Sequence, residues 1–211
     1  MRPILVGLIA LILTAQIARS EGEPSGEFDY YVLSLSWSPS FCALEGEARN
    51  NPQCDRSIGW VLHGLWPQYE TGWPSYCNSP HPSPTRAQTA AMVDIMGSSG
   101  SAWHQWNKHG GCTGLSATDY YALSRTAFDM ITRPPVLRKL DKPVTLPASL
   151  IEEAFLQSNS KLEPDMITIT CKKGRIQEAR ICLTKDLERR TCGRDTIRDC
   201  TMTDALLDPV R

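Results

Sequence analysis

Eight cysteines behind an export-type leader constrain this fold more than any other feature of the 211-residue chain. They are Cys42, Cys54, Cys77, Cys112, Cys171, Cys182, Cys192 and Cys200, an even number. The leader, residues 1–20, has an early Arg2, an apolar run from Ile4 to Leu13 and a small-residue ending at Ala18-Arg19-Ser20, the pattern of a cleaved secretory signal. That run is far shorter than the ~20 apolar residues needed to span a bilayer, which argues against a membrane anchor, and no later segment could span one. In an oxidising compartment, periplasmic or extracellular, the cysteines read as four disulfides, each stabilising the fold by about 2–4 kcal/mol. Zinc is the rival reading for cysteine, but no C-x-x-C pair occurs. Spacing alone leaves the connectivity open.

Residues 21–211 suffice for a single compact domain. Hydrophobic residues at 41% and charged residues at 21% exclude a disordered tail and a membrane bundle. The formal charge is −1, or −3 once the leader is removed, which argues against a broad basic face while allowing a small cationic site. One stretch departs from this balance. From Cys171 to Arg198 nine Lys and Arg stand against four acidic residues, so this segment either meets a polyanion or is a solvated hairpin. A near-neutral domain without an amphipathic surplus predicts a monomer with no obligate protein partner.

The segment Phe28 to Trp37 alternates Tyr31, Leu33, Leu35 and Trp37 against Ser34 and Ser36, as a half-buried strand does. Ile58 to Leu62 reads as a second strand ending at His63-Gly64. Pro67 to Pro84 reads as a long loop pinned by Cys77. Helices are predicted over Thr85–Met96, over Ala102–His109, from a Ser116-x-x-Asp119 cap to Ile131, and from a Ser149-x-x-Glu152 cap to Gln157, with a Pro-rich connector at 133–147. Met166–Cys171 and Ile176–Leu183 form a predicted hairpin. There are no internal repeats and no βαβ regularity. The expected class is α+β, a mainly antiparallel central sheet flanked by helices and stapled by disulfides.

Three of the four histidines fall in two short motifs, His63-Gly64-Leu65-Trp66-Pro67 and His104-Gln105-Trp106-Asn107-Lys108-His109. On a helix, His104 and Lys108 are i,i+4 neighbours, as are Gln105 and His109, so the four share one broad face. Opposite His63 they would line a pocket whose cations repel, depressing histidine pKa values and keeping one imidazole neutral as a base. A base and an acid flanking a bound group, with a fixed cation beside them, suit phosphoryl transfer, and RNA brings its own 2′-OH nucleophile, with no metal or other cofactor required. Zinc held by three histidines is disfavoured, because H-E-x-x-H is absent and His104 and His109 point roughly 140° apart on a helix. His81, between prolines, reads as structural. Trp60, Trp103 and Trp106 read as core, and Trp66 alone as a candidate base platform.

The segments Trp60 to Pro67 and His104 to Cys112 resemble the two active-site signatures of the ribonuclease T(2) family of secreted endoribonucleases, and Leu33 to Cys42 resembles its first core strand. The resemblance implies an α+β fold, single-stranded RNA as substrate, low base specificity and an acidic optimum. It implies His109 as general base, His63 as general acid, His104 as a phosphate ligand, Lys108 as stabiliser of the pentacoordinate oxyanion and Trp66 as a base contact. It further implies disulfides Cys77–Cys112, Cys42–Cys54, Cys182–Cys192 and Cys171–Cys200. One departure stands out: the family usually has Glu where this chain has Gln105. The loss of that charge predicts lower activity or a shifted pH profile, with the amide still orienting the phosphate or Lys108. The alternative is an exported RNA-binding protein on the same scaffold with weakened catalysis.

Overall fold

The computed structural model describes residues 22–210, so the expected signal segment at 1–20 lies outside the described residues. Strands β1 (Tyr30–Trp37), β2 (Trp60–Gln68), β3 (Val144–Leu146), β4 (Ile167–Lys172), β5 (Arg175–Leu183) and β6 (Ala205–Leu207) form one sheet in the order β2-β1-β5-β6-β3, with β4 also paired to β5. Every pairing is antiparallel except the short β5–β6 contact. Six α-helices, α1 (Ser38–Phe41), α2 (Arg86–Ala90), α3 (Val93–Met96), α4 (Ser99–Lys108), α5 (Ala117–Asp129) and α6 (Ser149–Ser158), complete the α+β domain.

The alternation in β1 sends Leu33, Leu35 and Trp37 into the main core, where they join Leu62, Leu65, Tyr120 of α5 and Phe155 of α6. Trp60 bridges sheet and helix, its ring centroid 5.1 Å from that of Trp37 and 5.2 Å from that of Phe155. Alternation alone predicts an open opposite face for β1, yet the whole strand is buried. The C-terminal segment covers one end of that face: Cys192 is bonded to Cys182, and the Thr196 hydroxyl hydrogen-bonds the Tyr30 hydroxyl at 2.8 Å.

Two β-bulges shape this second face. Along β1–β2, Ser34 pairs Gly64 while Leu35 pairs Leu62, which leaves His63 as the extra residue. Along β4–β5, Thr170 pairs Glu178 while Cys171 pairs Ile176, which leaves Gln177 extra. A bulge re-aims the unpaired side chain and accentuates the local twist. Strand β2 therefore continues through His63 to Gln68, instead of stopping at Leu62 as the short apolar run suggests.

Helix signals are used unevenly. Ser98 caps α4 by accepting from Ser101 N–H at 3.1 Å, and Ser116 caps α5 by accepting from Asp119 N–H at 3.2 Å. Thr85 and Gln88 close a capping box, but the expected single helix to Met96 breaks at a buried Met92, and the two pieces turn separately so that Met92, Ile95 and Met96 enter the core. The expected Ser149 cap does not form, because α6 starts one residue earlier in register with Ala148 as its N-cap. Strands β3 and β6, three residues each, lie in stretches that read as connector and tail. The disulfides are Cys42–Cys54, Cys77–Cys112, Cys171–Cys200 and Cys182–Cys192, the pairs that the family pattern implies. Among the described residues no helix is long and apolar enough to cross a membrane.

Candidate active site

The bulged face of the sheet and one flank of α4 enclose a cleft of two lobes. The first, ≈ 330 Å³, reaches Trp66, Trp73 and Arg180; the second, ≈ 500 Å³, reaches Glu45, Arg49 and Lys172. Both are lined by His63, His104, Gln105, Lys108, Gln177 and Glu178, so these six stand where the lobes meet. The sequence brings His63, His104, Gln105, Lys108, His109 and Trp66 to this place from two segments some forty residues apart. It does not bring His81, which lines neither lobe and whose Nε2 sits 3.2 Å from the Gly114 carbonyl.

The anticipated helix face is only partly helical. Helix α4 ends at Lys108, and His109 leaves helical geometry at φ −126° while its N–H still donates to Gln105 C=O at 3.0 Å. That turn points the His109 ring into the same cleft as His104, so the 140° separation expected on a continuous helix does not hold. Gly110 follows because a Cβ there would come within 2.7 Å of Trp106 and 2.9 Å of Tyr120. The four side chains also differ in depth: Gln105 and His109 are buried, Lys108 half-buried and His104 exposed. Trp60 and Trp106 are core, as expected, but Trp103 is exposed.

Trp66 joins the two segments. Its indole N–H donates to Gln105 Oε1 at 2.7 Å, its ring stacks on His109 with centroids 5.2 Å apart, and it meets His63 edge-on at 5.1 Å. The Arg180 guanidinium lies 5.3 Å from the same ring. Both imidazoles are therefore referenced to one rigid plate. Gly64 permits this approach, since a Cβ at that position would lie 2.3 Å from both Gln105 Oε1 and Trp66 Nε1.

Two contributors escape sequence reasoning. Glu178 is 2% exposed; its Oε1 is 2.5 Å from His63 Nδ1, and its Oε2 accepts from Arg180 Nε at 2.9 Å and Nη2 at 2.6 Å. Burial pushes this carboxyl up, but the hydrogen bonds and charges of His63 and Arg180 outweigh burial and hold it down at about 2. An acceptor on Nδ1 fixes the tautomer and leaves Nε2 of His63 for proton exchange. Gln177, the second bulged residue, is half-buried and, among the described residues, its amide has no hydrogen-bond partner. The only available signal is the alternation of β5, and a bulge disrupts that signal.

Burial first, then the charges of Lys108, His63 and His104, hold the His109 pKa well below its ordinary 6.5. The same sequence of causes, burial followed by Lys108 and His63, lowers that of His104. His109 Nδ1 is buried without a partner among the described residues, so the doubly protonated ring would gain no hydrogen bond there to offset the burial of its charge. The cleft thus holds a neutral imidazole, an ammonium and an imidazole backed by a carboxylate, the elements of an acid and a base around an anion. Among the described residues no group of three or more His, Cys, Asp or Glu side chains could hold a metal ion.

The family model described as "Ribonuclease T2 family" matches residues 28–192. The chain belongs to the ribonuclease T2 family. A ribonuclease of Aeromonas hydrophila is 41% identical over 121 residues, covering 57% of this chain and 54% of the relative, so the chain spans about half the length of that curated protein. Ribonuclease DdI of Dictyostelium discoideum is 23% identical over 209 residues, covering 87% of this chain and 88% of the relative. The solved structure of RNase NT in complex with 5'-AMP superposes with a TM-score of 0.62 at 18% identity, over 87% of this chain and 98% of that one, a likeness of fold.

The two histidines with lowered pKa values make the stability of this ribonuclease T2 chain depend on pH. His109 and His104 resist protonation when folded but accept protons near 6.5 when unfolded, so the unfolded state binds more protons and stability falls as pH drops below about 6.5. Glu178 acts in a lower window, its contribution being present above 4.5 and lost as pH falls towards 2. Urea midpoints between pH 7 and 5 therefore fall with acidification, and less steeply in His109→Gln than in the parent. A separate expectation concerns Gly64→Ala, which breaks the Trp66–Gln105 hydrogen bond. It costs about 1–3 kcal/mol of stability, measured by urea unfolding, and quenches less of the Trp66 fluorescence through His109.

Proposed function

We propose that the protein is a metal-independent endoribonuclease that cleaves single-stranded RNA by transphosphorylation. In the first step His109 accepts the 2′-OH proton and the 2′ oxygen attacks the adjacent phosphorus. The bond to the 5′ oxygen breaks, and His63 Nε2 gives its proton to that leaving group, which yields a 2′,3′-cyclic phosphate and a free 5′-OH. In the second step His63 takes a proton from a water that attacks the phosphorus, the bond to the 2′ oxygen breaks, and His109 gives that oxygen the proton it took in the first step, which leaves a 3′-phosphate and a 2′-OH. Lys108 and His104 neutralise the charge that develops on the phosphorane oxygens.

The observation that carries this reading is the common seat of His63 and His109, each within 5.2 Å of the Trp66 ring on one cleft. A second support is the donor-rich junction: the side chains of Lys108, His104 and Gln177 have no hydrogen-bond partners among the described residues and line both lobes, which leaves their donors free for a phosphate. The depressed His109 pKa keeps a base neutral under acidic conditions, in accord with the acidic optimum that the family implies. Glu178 balances the charge of protonated His63 and holds its ring. Trp73, 55% exposed on the first lobe, offers a stacking face for a base, while Trp66 is engaged by His109 and Arg180. Export to a periplasm or beyond the cell accords with the leader and the four disulfides, and binding RNA through one local cleft requires no second subunit.

The test is digestion of single-stranded RNA by the disulfide-intact protein in excess EDTA between pH 4 and 7, with analysis of product ends. Cyclic ends are expected. Uncut RNA would favour the binding protein with weakened catalysis, and cutting lost to the chelator would revive a metal. His63→Ala and His109→Ala each lower turnover by about 10²–10⁴-fold, Glu178→Gln lowers kcat with KM nearly unchanged, and His81→Ala has no effect. A loss at His81 equal to that at His63 would overturn the assignment.

Gln105 is a positioning residue in this scheme, holding Trp66 and through it both imidazoles. Gln105→Glu keeps the acceptor and adds a negative charge beside His109 and Lys108, which favours the protonated base. The rising limb of the kcat/KM profile on dinucleotides is expected to move to higher pH. An unchanged rate and profile would leave Gln105 without a special part.

A further inference from the structure

The second lobe extends beyond the junction where His63, His104 and Lys108 stand, and its far wall is charged. Glu45 and Arg49 come from the turn that follows α1, and Lys172 from the end of β4, so the wall is built by two segments distant in sequence. The turn is held in place by Cys42–Cys54, against which it packs so closely that a Cβ at Gly46 would lie 2.5 Å from Cys54 Sγ. The Lys172 ammonium hydrogen-bonds Glu45 Oε1, and Arg49 Nη2 lies 3.2 Å from Glu45 Oε2. The hydrogen bond from Lys172 is the main reason the Glu45 carboxyl stays below its ordinary range. One carboxylate thus holds two cations at the mouth of a lobe that opens directly on His63 and Lys108.

We propose that Lys172 and Arg49 form a second phosphate subsite, which takes a backbone phosphate of the RNA strand flanking the one that is cut, with Glu45 holding both cations in place until RNA arrives. The proposal deepens the endoribonuclease reading and rests on it for the strand's course through the cleft. A phosphate presents more acceptor oxygens than the carboxylate and can bind either cation, or both, where the lobe opens. A ligand with a single phosphate, seated between the histidines, has nothing to place there. The basic excess from Cys171 to Arg198 is thereby divided by geometry. Lys172 faces the lobe, whereas Lys173, its neighbour, sits at the hairpin turn with φ +48° and exposed to solvent, lining neither lobe.

The test is binding, separated from catalysis by a probe that cannot be cut: a fluorescent single-stranded 2′-deoxy oligonucleotide of about ten residues, which lacks the nucleophile, titrated with the full disulfide-bonded chain at several salt concentrations. Lys172→Glu is expected to raise Kd about tenfold and to lower the salt slope by about 0.7, the share of a single neutralised phosphate on a single strand. Lys173→Glu, which makes the same change in net charge one residue away, shifts Kd less than twofold. Glu45→Gln, which removes the competing carboxylate, lowers Kd severalfold, and Arg49→Glu raises it. If Glu45→Gln weakened binding, or if Lys172→Glu and Lys173→Glu had equal effects, the subsite would be overturned. In a parallel arm, cleavage of a dinucleoside monophosphate by the parent reports on the catalytic reading alone, so the failure of either is told apart from the failure of the other.

Discussion

An ionised carboxylate at the centre of a β-sheet is the constraint around which this cleft is arranged. Glu178 is almost fully buried, and an unpaired charge in that position would cost several kcal/mol. Its two oxygens are therefore given to different cationic partners: Arg180, two residues along the same strand face, and His63, on the other side of β1. His63 reaches Glu178 because the β2 bulge supplies one residue more than the ladder can use. Replacing the carboxylate by an apolar side chain would leave Arg180 and His63 to be satisfied in turn. Charge burial, bulge and orientation of the histidine are thus one linked requirement.

The same logic explains how two short motifs far apart in sequence meet. A sheet-borne indole and a helix-borne amide make a single hydrogen bond, Trp66 to Gln105, across a gap that only glycine at position 64 leaves open. Helix α4 cannot slide along β2 without breaking that bond, and His109 cannot rotate without leaving the face of Trp66. Precision in the cleft therefore comes from groups that need not touch a substrate, and it is supported at the next level by the Cys77–Cys112 bridge and by the Tyr76 N–H donating to Lys108 C=O at 2.9 Å, which tie the long loop to the end of α4.

Much of this is legible in the sequence, and the part that is not has a physical pattern. The central strands, the capped helices and the two histidine motifs carry strong local signals: alternation, Ser and Thr caps, and side chains whose chemistry is rare. What escapes is non-local. The three-residue strands β3 and β6 are too short for alternation to register. Burial of both faces of β1 depends on the C-terminal segment folding back, and nothing within Tyr30–Trp37 reports that. Gln177 and Glu178 are neighbours that an ordinary hairpin strand would send to opposite faces; only the bulge, which is a property of paired strands, lets both line the cleft. His109 illustrates the converse, since its motif is recognisable but its direction is not, because direction depends on where α4 stops, and the stop is set by Gly110 packing against Trp106 and Tyr120.

The presence of Gln at position 105 is intelligible in the same terms. This side chain is 3% exposed, and its oxygen already accepts from a neutral donor, the Trp66 indole. A carboxylate in its place would be a second buried anion in a cleft that already has one, and its desolvation would have to be offset by drawing on Lys108, since Arg180 is committed to Glu178. An amide makes the same hydrogen bond without that cost. It also leaves the positive charge of Lys108 less compensated at the junction, as the proposed binding of a phosphate there requires. The negative charge that orients a histidine in this chain thus lies beside the sheet-borne residue, on β5, while the helix-borne side of the cleft carries Lys108 with no side-chain partner among the described residues.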